Sequence, residues 1–362
     1  MRMRNGFGMG AVGGAALTAA LWLGTAHAAG YQVWVTDEHS GEVTVIDGGS
    51  FKALATVPVG KRPRGIHASP DGRSVYVALS GTPIEAPPQL DAQGNPIFKK
   101  GKDDDDDDDD QAADKSADAI GVLDVATRQV VRRIYVGSDP EEFSLSPDGS
   151  HLYVSNEDTK TASIVDIPAG KVEHIIPIGQ EPEGVAVTRD GALIYVTCEA
   201  GGDIFVIDAH TYRTVGHFKV PPRPRSVDFL HGSPVAFIPS ESAGLLNVID
   251  TAHYSVLKAI TLPPGTRPMR VRVTADDSKV YVSGGRSGAV VVIDAHSDAV
   301  LGTIAVGKRP WGIVFSPDGR YLFSANGPSN DVSVVDVAAG REIARVKAGG
   351  SPWGLTIVAA GG

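Results

Sequence analysis

Three observations in the 362-residue chain predict an all-β, seven-bladed β-propeller built from four-stranded blades: a fixed period, a common strand order within each period, and chain ends that are complementary parts of one repeat. The period is marked by a strand ending in aspartate, at Val45-Ile46-Asp47, Val122-Leu123-Asp124, Ile164-Val165-Asp166, Val206-Ile207-Asp208, Val248-Ile249-Asp250, Val292-Ile293-Asp294 and Val334-Val335-Asp336. Successive aspartates lie 77, 42, 42, 42, 44 and 42 positions apart, so the first interval is one period plus a 35-residue insertion. A repeat of this length is one supersecondary unit that buries its faces against its neighbours.

Within a period four short strands follow one another. Residues 312–349 show them in turn: a strand running to Ser316-Pro317-Asp318-Gly319, then Tyr321 to Ser324, Val332 to Asp336, and Arg341 to Val346. Four such strands make one propeller blade. Pro-Asp-Gly, also at 70–72 and 147–149, is turn chemistry, with proline presetting one dihedral and glycine taking positive φ, and it predicts the hairpin between the first two strands. The alternating Val33-Trp34-Val35, Leu152-Tyr153-Val154 and Val280-Tyr281-Val282 suit strands packed between neighbouring blades. Tyr31 to Thr36 reads as the second strand of a blade and Trp353 to Val358 as an orphan first strand, so the two ends are expected to close the ring as one plus three strands of a shared blade. Such closure removes the exposed edge of an open ring.

Residues 1–28 read as an export leader: Met1-Arg2-Met3-Arg4, an apolar stretch from Gly10 to Leu23, and the small-x-small pattern Ala26-His27-Ala28. Residues 29–362 are then the propeller, periplasmic or secreted. No later segment approaches the length of about 18 apolar residues needed to span a bilayer, so no membrane span is expected after the leader. The single cysteine, Cys198, excludes an intramolecular disulfide. Formal charge is -10, but Asp103 to Asp110 supply eight negatives; with these and the two leader arginines set aside, the body carries about -4. No nucleic-acid footprint is present.

The repeats align the chain with itself, and the positions that differ fall in two loops opening on one face of the ring. An x-Pro-y element precedes each first strand: Arg62-Pro63-Arg64, Asp139-Pro140-Glu141, Glu181-Pro182-Glu183, Arg223-Pro224-Arg225, Arg267-Pro268-Met269, Arg309-Pro310-Trp311 and Ser351-Pro352-Trp353. The loop after the second strand varies too: Asp37-Glu38-His39, Asn156-Glu157-Asp158, Cys198-Glu199, Ser240-Glu241, Gly285-Arg286 and Asn326-Gly327. Round the ring this gives an acidic arc (Glu141, Glu142, Glu181, Glu183), a basic arc (Arg223, Arg225, Arg267, Arg270, Arg309, with Arg62 and Arg64 beyond) and Trp311 with Trp353. The rim set expected to bind a ligand is Arg62, Arg64, Glu141, Glu183, Arg223, Arg225, Arg270, Arg309, Trp311 and Trp353. Arginines suit carboxylates or phosphates through paired hydrogen bonds, and tryptophan offers a flat wall for a planar group. The competing reading is that the two arcs merely neutralise each other as rim salt bridges.

The insertion, residues 81–117, cannot belong to a sheet. Its eight aspartates repel one another and offer no apolar surface, which predicts a solvated acidic loop; loose capture of a calcium-like cation is the sharper alternative, although the glycine and terminal glutamate of an EF-hand are missing.

Tyr153-Val154-Ser155-Asn156, the Val-Ile-Asp strands, Val136-Gly137 and Ser146-Pro147-Asp148-Gly149 resemble the YVTN family of propeller repeats over residues 31–358. Ser138-Asp139-Pro140-Glu141, Ser155-Asn156-Glu157-Asp158 and Asn326 to Asp331 resemble its exported members associated with pyrroloquinoline quinone-dependent catabolism. The resemblance implies a context and no assigned reaction.

No nucleophile elbow, phosphate-binding loop or dinucleotide fingerprint appears, the ten histidines show no metal-ligand spacing, and one cysteine excludes covalent c-type haem. No catalytic or metal residue and no cofactor is therefore assigned. Three functions stay open. The main one is a binding or scaffold protein whose rim engages a small anionic ligand or a periplasmic protein partner, in an exported oxidation pathway. The alternatives are a lactonase-like hydrolase, whose base would be Glu183 or Glu199 beside an arginine or a metal, and a carrier holding a quinone or non-covalent haem against Trp311 or Trp353.

Overall fold

The aspartates that mark the repeat owe their position to turn chemistry. In each blade the aspartate ends the third strand and its side chain folds over the following turn: Asp47 accepts from the Ser50 amide at 2.7 Å, Asp124 from Thr127 at 2.8 Å, Asp208 from Thr211 at 2.7 Å and Asp294 from Ser297 at 2.8 Å. These bonds substitute for backbone partners the turn cannot supply. The residue four positions on turns left-handed, as at Phe51, Arg128, Tyr212, Tyr254 and Asp298. A second aspartate device closes the inner hairpins, where the side chain of Asp71, Asp148, Asp190, Asp276 or Asp318 accepts a serine or threonine hydroxyl two residues before it.

A computed structural model describes residues 30–84 and 113–359. They form seven four-stranded antiparallel sheets. We letter the strands of each blade a to d in sheet order. In blade 1, strand a is Pro352–Ala359 from the end of the chain, and b, c and d are Tyr31–Asp37, Glu42–Asp47 and Ala53–Pro58. The expected one-plus-three closure is present, with Val33 facing Ile357 and Trp34 facing Thr356 across the seam. The later blades each run a to d in chain order, starting at Pro63–Ala68, Pro140–Leu145, Pro182–Val187, Asp228–Phe229, Val271–Val273 and Pro310–Phe315. The a strands pack against one another around the axis, and the d strands carry the exposed apolar side chains such as Val131, Leu257 and Leu301.

The core is not one mass but seven layers, one between each pair of blades. Strand alternation distributes it: Trp34 packs with Val75 and Val77 of blade 2, while Val33 and Val35 pack with Phe323 and Val334 of blade 7. Period-two patterning thus feeds two interfaces from one strand.

The insertion leaves blade 2 through a closed neck, where Gly81 donates to the Asp118 carboxylate at 2.7 Å and Asp114 to the Gly81 carbonyl at 2.9 Å. Lys115–Ala117 forms a short 3-10 turn inside the interval that reads as loop. The leader (1–28) and the aspartate run lie outside the described residues.

Candidate functional site

At the mouth, x-Pro-y is a strained turn. Arg62, Asp139, Glu181, Arg223, Arg309 and Ser351 all have φ between 42° and 60°. Left-handed backbone at residues other than glycine costs of order 1 kcal/mol or more and persists where the surroundings over-determine it. They do so here. Four of these x carbonyls are held closely by an amide from the loop after strand b: Glu38 to Ser351 at 3.0 Å, Glu157 to Asp139 at 3.0 Å, Glu199 to Glu181 at 2.8 Å and Glu241 to Arg223 at 2.9 Å.

A hydroxyl on strand b then fixes the y residue of the next blade. Thr36 donates to the Arg64 carbonyl at 2.7 Å, Ser155 to the Glu183 carbonyl at 2.6 Å and Ser283 to the Trp311 carbonyl at 2.6 Å. This is the physical content of the third residue in Tyr-Val-Ser-Asn; the fourth, Asn156, donates to Ser163 on strand c at 2.9 Å. Glycine follows y in four blades because neighbouring a strands touch there: a Cβ on Gly312 would lie 2.6 Å from the Trp353 carbonyl oxygen, and one on Gly354 2.6 Å from that of Arg64.

The predicted rim residues come together, and the two arcs interlock. Arg64, buried, pairs with Asp139 and Glu141, and Arg62 with Glu38 at 3.0 Å. Arg225 pairs with Glu199, with Glu241 and, at 3.2 Å, with Glu183, while Arg223 reaches Glu199 at 2.9 Å. Arg270 pairs with Glu142 from the opposite side of the ring, and His67 reaches the other oxygen of that carboxylate at 2.9 Å. The arcs thus neutralise each other as the competing reading has it, through pairs that are buried at Arg64 and Arg225, where removing one partner leaves an uncompensated charge.

The electrostatics follow. Burial opposes ionisation of Glu142, but Arg270 and His67 outweigh it and hold the carboxyl far below the usual range. Burial likewise acts against Glu241, which Arg225 and Arg223 nonetheless bring down to about 2. Burial opposes the charge on Arg225, yet Glu241 and Glu183 raise its pKa above the ordinary value. Glu157 goes the other way: burial, with the carboxylates of Asp139 and Glu183, pushes it up to about 8 against the pull of Arg64. Asp139, Glu141 and Glu157 lie within 4.8 Å of one another. The Arg64 guanidinium already sits among them and supplies positive charge there.

The tryptophans stack on each other, with centroids 5.9 Å apart and planes 25° from parallel. Arginines flank them: Arg309 lies 4.7 Å and Arg225 5.9 Å from the Trp311 ring, and Arg270 5.9 Å from Trp353. The wall therefore holds guanidiniums in place by cation–π contact as well as bounding the mouth. Glu142, Glu183, Arg225, Met269, Arg270, Trp311, Gly312 and Trp353 surround an open pocket with about 280 Å³ of unfilled space.

The rim set left out Asp139, Glu142, Glu157, Glu199 and Glu241, all of which reach the site. A signal was available: glutamate stands directly after strand b in four blades, at Glu38, Glu157, Glu199 and Glu241. Cys198 is buried beneath Gly179, and burial pushes its thiol up to about 12, which keeps it unreactive.

Against known sequences, residues 24–175 match the family described as "Lactonase, 7-bladed beta-propeller". Among curated proteins no sequence matches. Solved structures that this chain resembles include the periplasmic gluconolactonase PpgL of Pseudomonas aeruginosa, with 18% identity, 92% of this chain and 100% of that chain covered, and TM-score 0.68. A candidate 6-phosphogluconolactonase of Bacteroides fragilis gives 15% identity, 92% and 99% coverage, and TM-score 0.70. Hydrazine synthase of Kuenenia stuttgartiensis gives 18% identity, 85% and 92% coverage, and TM-score 0.68. At such identities the likeness establishes the propeller fold; among the functions left open by the sequence, the family match over residues 24–175 stands nearer the lactonase-like reading than the scaffold.

Proposed function

We propose that this chain is an exported lactonase-like hydrolase that opens a small lactone in the mouth pocket. One observation carries the reading: a carboxylate, Glu183, and two guanidiniums, Arg225 and Arg270, line a single open pocket beside the tryptophan wall. The family match over residues 24–175 supports it, as do the two structural neighbours named as lactonases.

Of the two candidate bases, Glu183 is the better placed. Glu199 is committed to Arg225 and Arg223, whereas Glu183 makes one ion pair, at 3.2 Å, and borders the open space. In the proposed reaction Glu183 takes a proton from water, whose oxygen adds to the lactone carbonyl carbon. The resulting oxyanion is stabilised by a neighbouring guanidinium, held charged and oriented before the reaction begins. The ring C–O bond then breaks, and the proton on Glu183 passes to the departing ring oxygen, leaving a hydroxy acid whose carboxyl proton is released to solvent. The leader-like N-terminus supports action outside the cytoplasm, and the resemblance to exported YVTN-type proteins supports a place in a periplasmic oxidation pathway, where oxidation of sugars generates lactones.

Proton release from five- and six-membered aldonolactones, followed in a pH-stat, tests the proposal. Turnover is expected, with kcat lower by about 10²- to 10⁴-fold in Glu183→Gln. Absence of turnover by the unaltered protein across the series would overturn the hydrolase reading and return the pocket to simple ligand binding.

A further inference from the structure

The rim arginines are not equivalent. Arg62, Arg64, Arg223, Arg225 and Arg270 each engage a carboxylate. Arg309 does not: among the described residues no carboxylate lies within 4.0 Å of it, and its recorded contact is the face of Trp311 at 4.7 Å. Two carboxylates act on it from beyond ion-pair distance, Glu241, which is already shared between Arg225 and Arg223, and Glu38, which is paired with Arg62. Burial works against the charge of Arg309, and Arg225 and Arg286 add repulsion, so its pKa is lowered. The chain nevertheless holds this guanidinium in one place, on a residue with φ of 50° and against an aromatic face. A half-buried, fixed cation that makes no ion pair and stacks on Trp311, a wall residue of the pocket, is a standing demand for an anion.

We propose that Arg309 recognises a carboxylate carried by the ligand in addition to the group that reacts, which makes the substrate class, on the hydrolase reading above, a lactone with a free terminal carboxylate. The chemistry selects the anion. A stacked guanidinium presents one planar edge, which matches the two oxygens of a planar carboxylate. Of the two cations that act on Arg309, Arg225 is committed to Glu199 and Glu241 and Arg286 is exposed and screened by solvent, so a phosphate dianion would find only one fixed charge without an ion-pair partner. The basic side of the mouth, at Arg309, and the acidic side, at Glu183 and Glu157, would orient such a molecule with its carboxylate toward blade 7 and its carbonyl toward blade 4.

The test uses equilibrium binding of ring-opened acids, which does not depend on turnover. The mature full-length protein is titrated calorimetrically with an aldarate, the matching aldonate and the phosphorylated aldonate. The aldarate is expected to bind about 10- to 100-fold more tightly than the aldonate. Arg309→Gln should bring that ratio to within about twofold, Arg309→Lys should restore part of it, and Arg286→Gln should leave it standing. Equal binding of aldarate and aldonate, preference for the phosphorylated acid, or an unchanged ratio in Arg309→Gln would overturn the assignment. Aldarate selectivity lost in Arg309→Gln, in a protein that hydrolyses no lactone, would sustain the carboxylate site while overturning the hydrolase.

Discussion

Asp37 shows how one residue carries a pH dependence. It ends strand b of blade 1, where blades 3 and 7 place Asn156 and Asn326. Thr44 donates to one carboxylate oxygen at 2.6 Å, and the other has no partner and is buried. Burial pushes this carboxyl from 3.8 up to about 7. The folded state therefore holds a proton that the unfolded chain releases near pH 4, so stability falls as pH rises from about 4 to 7, and the full penalty is present above 7. Asp37→Asn supplies the amide found in blades 3 and 7. Chemical denaturation should find the variant more stable by roughly 2–4 kcal/mol at pH 8, with the difference shrinking to near zero by pH 4; an equal difference at both pH values would remove the ionisation argument.

Between elements, the Glu142–Arg270 pair ties strand a of blade 3 to the stretch leading into strand a of blade 6, with His67 of blade 2 as the third member. It crosses the axis beneath the pocket and contributes to its lining. Glu142→Gln should destabilise the fold by about 3–5 kcal/mol, because Arg270 is left charged and buried. The apolar double variant Glu142→Leu, Arg270→Met should lose much less. Melting curves of the two variants decide the point, and equal losses would mean that the pair matters through shape rather than charge. Strand periodicity and Pro-Asp-Gly made the elements themselves legible, since those signals act within a few residues. The cross-axis pair was not legible, because residues 142 and 270 are 128 positions apart and meet only when the ring closes.

At the scale of the whole molecule, blade 1 exists only when the chain ends meet. Besides the ladder, the seam is held by Glu38 donating to Ser351 at 3.0 Å and His39 to Gly350 at 2.9 Å. Truncation before Pro352 deletes strand a, uncovers Trp34 and its neighbours, and leaves an open edge. The truncated protein should bind a hydrophobic dye and lose its sharp thermal transition; a transition like that of the intact chain would mean that the ring holds without its clasp.

The sequence by itself determined the seven blades, their four strands and the one-plus-three closure, because a repeat records local turn chemistry and strand alternation once per blade and can be compared with itself. It also identified the rim, because the positions that break the repeat fall in two loops of one face. What it could not assign was which charge meets which. Arg225 looked unpaired until the fold set Glu183, Glu199 and Glu241 around it, and Arg309 looked like its equal until the fold stacked it on Trp311 without an ion pair. Pairing between blades depends on distances across the ring axis, and these are fixed only when seven separately specified units pack into a closed circle.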